Sequence, residues 1–139
     1  MRKIVLFLAT ILLSVACNCP HKEQNTTVSE QKTEKISLIG EKATLVYPSL
    51  TAEVHYISEN EIHWKTTDDQ GQVAEQKNTL VYKPINATQF FLNWVEDDGT
   101  TVSQVIDTEK KTVSAFLTYS DETGKRIAQF LEGTFQINK

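Results

Sequence analysis

Beyond Cys19 the chain has no cysteine, so the domain that follows carries no disulfide and must be held by packing alone. It has no apolar run of the roughly 18 to 20 residues that a membrane-spanning helix needs; the longest, from Ile4 to Ala16, is too short. After that run Arg126 is the only arginine, and the formal net charge of the whole chain is -4. An acidic balance argues against nucleic acid or an anionic lipid surface as the main partner. A sustained helical period is also missing after the first residues, which points away from a helical domain.

What is present begins with an address. Met1-Arg2-Lys3, the apolar stretch from Ile4 to Val15 and the small residues before Cys17 have the three parts of an export signal, here residues 1–16. Leu13-Ser14-Val15-Ala16-Cys17 resembles the lipobox of bacterial lipoproteins, with Leu one step further from the cysteine than usual. That resemblance implies a lipid on Cys17, which would become the first residue of an exported protein anchored in the bacterial cell envelope, on a periplasmic or surface face. The other reading is ordinary cleavage after Ser14-Val15-Ala16, leaving free thiols at Cys17 and Cys19, which are too close in sequence to bridge easily.

Loss of Arg2 and Lys3 with the signal moves the formal charge from -4 to -6. Residues 17–35 follow, rich in Lys, Glu, Gln, Thr, Asn and Ser, with Val28 the only large aliphatic residue from Pro20 to Lys35. Such a composition buries too little surface to offset chain entropy and is expected to act as a flexible tether. Residues 36–139 remain, enough for one small domain with one core.

In that domain apolar residues alternate with period two, the mark of half-buried strands. The pattern predicts strands over 43–47, 52–57, 61–65, 74–83, 89–96, 101–107, 112–119 and 126–137. Between the second and third, Ser58-Glu59-Asn60 reads as a three-residue hairpin loop with Asn60 left-handed. Pairing about Glu59 sets Tyr56 against Ile62, Val54 against Trp64, Glu53 against Lys65 and His55 against His63. Asp97-Asp98-Gly99 is a further hairpin signal, and Gly133 sits where a strand can bend at a barrel corner. The expectation is an all-β, antiparallel, eight-stranded meander closing into a small barrel.

The segment from Phe90 to Asp107, FFLNWVEDDGTTVSQVID, resembles the central signature of MoaF-like domains. Ile62-His63-Trp64 and the segment from Phe130 to Phe135 resemble their second hairpin and closing strand, so the likeness runs over residues 38–137. The resemblance implies a calycin or lipocalin-like barrel with an inner cavity and carries no established enzymatic role. Many members have His where this chain has Gln104.

An eight-stranded barrel either fills its interior with side chains or holds one small ligand. The alternation places Tyr56, Trp64, Phe90, Leu92, Trp94, Gln104, Leu117 and Gln129 inward, with Val102 and Leu131, and these are the candidate ligand-binding residues. The bland reading of the same residues is a core whose amides satisfy one another or a trapped water. His55 and His63 are spaced to share a metal ion but fall on the solvent face, so no metal or cofactor is expected. Ser103, Ser114 and Ser120 have no histidine that the sequence brings beside them, and no catalytic residue is assigned. Two functions result: a tethered module binding a small, partly apolar molecule, or a filled barrel docking a protein partner through rim loops 66–71 and 96–99, whose acidity favours a basic partner.

Overall fold

The computed structural model describes residues 36–139; the expected export signal, Cys17 and the expected tether lie outside the described residues. The described chain is all strand and turn, in nine strands: β1 Lys42–Val46, β2 Leu50–Ser58, β3 Glu61–Asp68, β4 Val73–Thr79, β5 Val81–Pro84, β6 Gln89–Val95, β7 Thr101–Asp107, β8 Thr112–Ser120 and β9 Arg126–Ile137. All neighbours are antiparallel, in the order β4-β3-β2-β1-β9-β8-β7-β6-β5.

The difference between nine strands and the expected eight lies in the run 74–83, which breaks at Leu80. Before the break β4 pairs with β3, from Thr67↔Val73 to Glu61↔Thr79; after it β5 pairs with β6, from Val81↔Asn93 to Pro84↔Phe90. One stretch of chain therefore supplies both end strands of the sheet, and its continuity nearly closes the barrel. Leu80 is buried at the break, and its N–H donates to the Asn60 carbonyl at 2.9 Å. Where β4 and β6 no longer share a ladder, side chains span the seam. Asn78 Nδ2 donates to the Val95 carbonyl at 3.0 Å, and Asp97 N donates to Gln76 Oε1 at 3.1 Å.

The β2–β3 hairpin has the expected pairs, including Val54↔Trp64, His55↔His63 and Tyr56↔Ile62. Its turn differs. The register shifts between Tyr56 and Ser58 so that Ser58 faces Glu61, and the Ser58 hydroxyl meets Asn60 Oδ1 at 2.6 Å. Asn60 is not left-handed; among the described non-glycine residues only Lys111 is, with φ 57°, at the end of the β7–β8 turn. A side-chain bond and a bulge thus take over the role that a left-handed residue was expected to play.

One end of the barrel is packed solid. Tyr56, Ile62, Phe90, Leu92 and Ile106 are fully or almost fully buried there, and Leu38, just before β1, is fully buried as well. Gly40, at φ 88°, donates to the Tyr56 carbonyl at 2.7 Å and so fixes the turn that precedes β1. Burying a side chain of Leu38's size contributes about 1.5 to 3 kcal/mol. Tyr82 stacks on Phe90 with ring centroids 5.7 Å apart.

Gly133 is required by a close approach of two strands. A methyl group there would overlap the Val46 carbonyl oxygen and lie 2.9 Å from Tyr47 Cδ1. Only hydrogen lets β9 pass close under the end of β1 and lets the Tyr47 ring fold over it.

Candidate functional site

The other end of the barrel is less completely filled. It is bounded by the turns after β1, β3, β6 and β8, and a cavity of about 70 Å³ lies inside, open to solvent on one side and mostly apolar. Ala52 and Ala115 leave the space; Trp64, Trp94, Leu117 and Leu131 wall it, and Tyr47, Glu96 and Gln104 give it polarity. Small residues opposite large ones at a barrel end create such a gap because no side chain is long enough to cross it.

Both indoles have their N–H groups engaged. Trp64 Nε1 donates to Asn78 Oδ1 at 2.8 Å, and Trp94 Nε1 donates to Glu96 Oε1 at 3.2 Å. With those donors used, the tryptophans line the cavity mainly as apolar surface. Glu96 continues the inward phase of Leu92 and Trp94, and its N–H donates to the Thr100 carbonyl at 2.8 Å. Half-burial raises its carboxyl above the usual range; the Trp94 indole opposes this shift, and neighbouring Asp98 and Asp97 add to it.

Deeper in, Gln104 is only 6 % exposed, and its Nε2 donates to the Tyr47 hydroxyl at 3.1 Å. Its Oε1 is buried and has no hydrogen-bonding partner among the described residues. The amide can be turned around, because the Tyr47 hydroxyl can donate or accept, but either way one of its two ends is left unpaired. Tyr47 and Tyr56 have their hydroxyls pushed well above the ordinary phenol range by burial, so both remain protonated. The Tyr56 hydroxyl is likewise buried without a partner among the described residues.

Of the residues expected to meet a ligand, the fold brings Trp64, Trp94, Gln104 and Leu117 together around this cavity, with Val102 and Leu131. Tyr56, Phe90 and Leu92 point inward as expected but belong to the solid core. Gln129 has the phase of Leu131 and pairs with Leu117, yet it lies at the rim and is exposed. Tyr47 and Glu96 line the cavity too, although neither was expected to meet a small ligand and Glu96 was expected in a rim loop. Tyr47 stands next to Pro48 and reads as a strand stop, while Glu96 borders the Asp97-Asp98 turn; strict alternation from Leu92 through Trp94 was the available signal for Glu96.

His55 and His63 face each other on the outer surface, and His63 Nε2 is bonded to Glu75 Oε1 at 2.7 Å. Among the described residues no group of three or more His, Cys, Asp or Glu side chains is placed to hold a metal ion. Asp98 is a turn former: its Oδ1 accepts from Thr100 N at 2.8 Å, which holds its carboxyl below the usual range.

Compared with known proteins, the chain matches the family model described as MoaF-like over residues 39–135. It is also similar in fold to a crystal structure from Burkholderia vietnamiensis described as that of a candidate beta-lactamase. That likeness has a TM-score of 0.64 at 20% identity and covers 75% of this chain and 98% of the other. At that identity it carries the fold alone. No curated protein matches the chain.

Proposed function

This chain belongs to the MoaF-like family, and from that membership we propose that it is an exported, lipid-anchored binding module that takes the end of a small, partly apolar molecule into the open end of its barrel. The observation that supports this best is the unpaired Gln104 carboxamide in an apolar cavity walled by Trp64 and Trp94. A buried polar atom left without a partner costs about 1 to 3 kcal/mol, and a ligand that reaches it relieves that cost. At about 70 Å³ the cavity is smaller than a site that engulfs a whole ligand, typically about 300 to 1,000 Å³. The ligand therefore enters by one end, with the rest at the rim.

The anchor belongs to the same proposal. Cys17 carries the lipid, and residues 17–35 hold the barrel away from the bilayer. Labelled fatty acid should enter the wild type and not a Cys17→Ser variant; equal labelling of both would remove the anchor and leave an exported barrel. Native mass spectrometry of the protein purified from its own envelope tests the binding reading. A retained small molecule, lost in a Trp64→Ala variant that still folds, is the expected result; the same mass with and without denaturation counts against it.

The second reading, a protein-docking lipoprotein, is favoured by the solid half of the barrel and by the outer face. There Phe116 and Phe130 oppose each other across β8 and β9 and are 46% and 59% exposed. Aromatic surface of this kind suits a protein interface. The same mass measurement separates the two, since a retained polypeptide in place of a small molecule favours docking.

A further inference from the structure

Charge is distributed unevenly between the two ends of the barrel. The turns around the cavity and the strand ends beside them carry Asp68 and Asp69, Glu96, Asp97 and Asp98, and Asp121 and Glu122, against Lys125 and Arg126. At the closed end Glu41, Glu59 and Glu109 are offset by Lys110, Lys111 and Lys139. The negative charge therefore gathers at the end where this cavity opens, and low-dielectric walls focus its field.

A second, independent feature lies inside. Gln104 has one unpaired amide end, the acceptor Oε1 in the orientation found, and among the described residues Glu96 Oε1 is engaged only by the Trp94 indole. Gln104 pairs with Leu92 across β6 and β7, and Glu96 lies four residues further along β6 on the same face. At about 3.3 Å per residue, their backbone positions are about 13 Å apart along the strand. A six-carbon chain with a polar atom at each end is about 9 Å long and, with a hydrogen bond of about 2.8 Å at either end, covers about that distance. The walls between them are mostly apolar, with Trp64 and Trp94 foremost.

We propose that the ligand of this cavity is an apolar amine: its ammonium is held at the acidic mouth by Glu96, its hydrocarbon body lies along Trp64 and Trp94, and its inner end donates a hydrogen bond to Gln104. This rests on the reading of the cavity as a ligand site. An ammonium supplies three donors and no acceptor, which suits a rim made of carboxylates. Indole rings add attraction for a cation near their faces. An anionic ligand of the same shape is repelled at the rim.

The test uses the full-length chain labelled with ¹⁵N, whose two indole N–H signals report on the cavity directly. The probes are 6-amino-1-hexanol, hexylamine, 1-hexanol and 6-hydroxyhexanoate. Expected is the tightest binding for aminohexanol, with 1-hexanol weaker by about fivefold and hydroxyhexanoate weaker still. Glu96→Gln should weaken aminohexanol and hexylamine by about fivefold and leave 1-hexanol unchanged. Gln104→Leu should weaken aminohexanol and 1-hexanol and spare hexylamine. If 1-hexanol binds as tightly as aminohexanol, or Glu96→Gln affects charged and neutral probes alike, the amine assignment is overturned while the ligand site stands. If no probe moves either indole signal, both are overturned. The comparison among probes needs no variant, so it decides the matter even if Gln104→Leu does not fold.

Discussion

Tyr47 Oη and Gln104 Nε2 meet at 3.1 Å inside the barrel although they are 57 residues apart in the chain. The bond ties the end of β1 to the middle of β7 across the interior, and it uses only one end of the Gln104 amide. Removing either partner alone therefore strands the other. Tyr47→Phe should cost about 1 to 3 kcal/mol in urea unfolding, because it leaves the whole amide unpaired. Tyr47→Phe combined with Gln104→Leu should recover most of that loss. Strictly additive losses in the double-mutant cycle would show that the bond does not couple the two residues.

Gly133→Ala should be among the most damaging single substitutions outside the hydrophobic core. The added methyl overlaps the Val46 carbonyl oxygen and crowds Tyr47, so β1 and β9 must separate. A loss of about 2 to 4 kcal/mol in chemical unfolding is expected, whereas a loss below about 0.5 would mean that the strands part cheaply there.

The seam depends on Asn78, which accepts from Trp64 Nε1 and donates to the Val95 carbonyl. Asn78→Ala removes both bonds and leaves the indole N–H without its partner. Stability should fall by about 2 to 4 kcal/mol, and the Trp64 fluorescence should shift to the red as water reaches the seam. An unchanged emission spectrum in a folded variant would mean that the barrel stays closed without this side chain.

Acid should weaken the fold through its turns. Asp107 is held below the usual carboxylate range chiefly by the Lys110 N–H and the Gln89 amide, and Asp121 by the Thr123 hydroxyl and the Lys125 N–H. A carboxyl lowered in the folded state adds stability that is fully present above its unfolded value, about 4, and is lost as the pH falls below it. Glu96 acts in the opposite sense. Its raised carboxyl costs stability as it ionises with rising pH. Urea midpoints should hold between about pH 7 and pH 5 and decline below about pH 4, less steeply for Asp107→Asn. A wild-type slope retained in that variant would exclude Asp107 as a source of the decline.

The strands were legible because their information is local. Alternation from Val54 to Tyr56 and from Leu92 to Trp94, interrupted by Asp97-Asp98-Gly99, states which side chains share a face. The β2–β3 pairing could be written out residue by residue because a short loop leaves few registers that match apolar with apolar. The break at Leu80 was less visible. Nothing in the run from Ala74 to Lys83 marks it, since it arises when one end of the chain's sheet turns to meet the other.

The candidate site divides the same way. Trp64, Trp94, Gln104 and Leu117 were assigned inward from phase alone, and phase is a property of each strand by itself. Depth along the barrel is not. It separated Tyr56, Phe90 and Leu92 in the solid end from Gln129 at the exposed rim, although all share the inward phase.

By itself the sequence determined the family, the antiparallel all-β class, the inward face of each strand and the acidity of particular turns, since each is fixed by neighbouring residues or by composition. Tertiary structure decided which acidic turns share one end, that Leu38 is buried in the core while Ala52 and Ala115 leave a gap, and that Tyr47 reaches only one end of the Gln104 amide. Those outcomes depend on the stagger of strands around a nearly closed sheet, which sets the height of every side chain relative to partners far away in the chain.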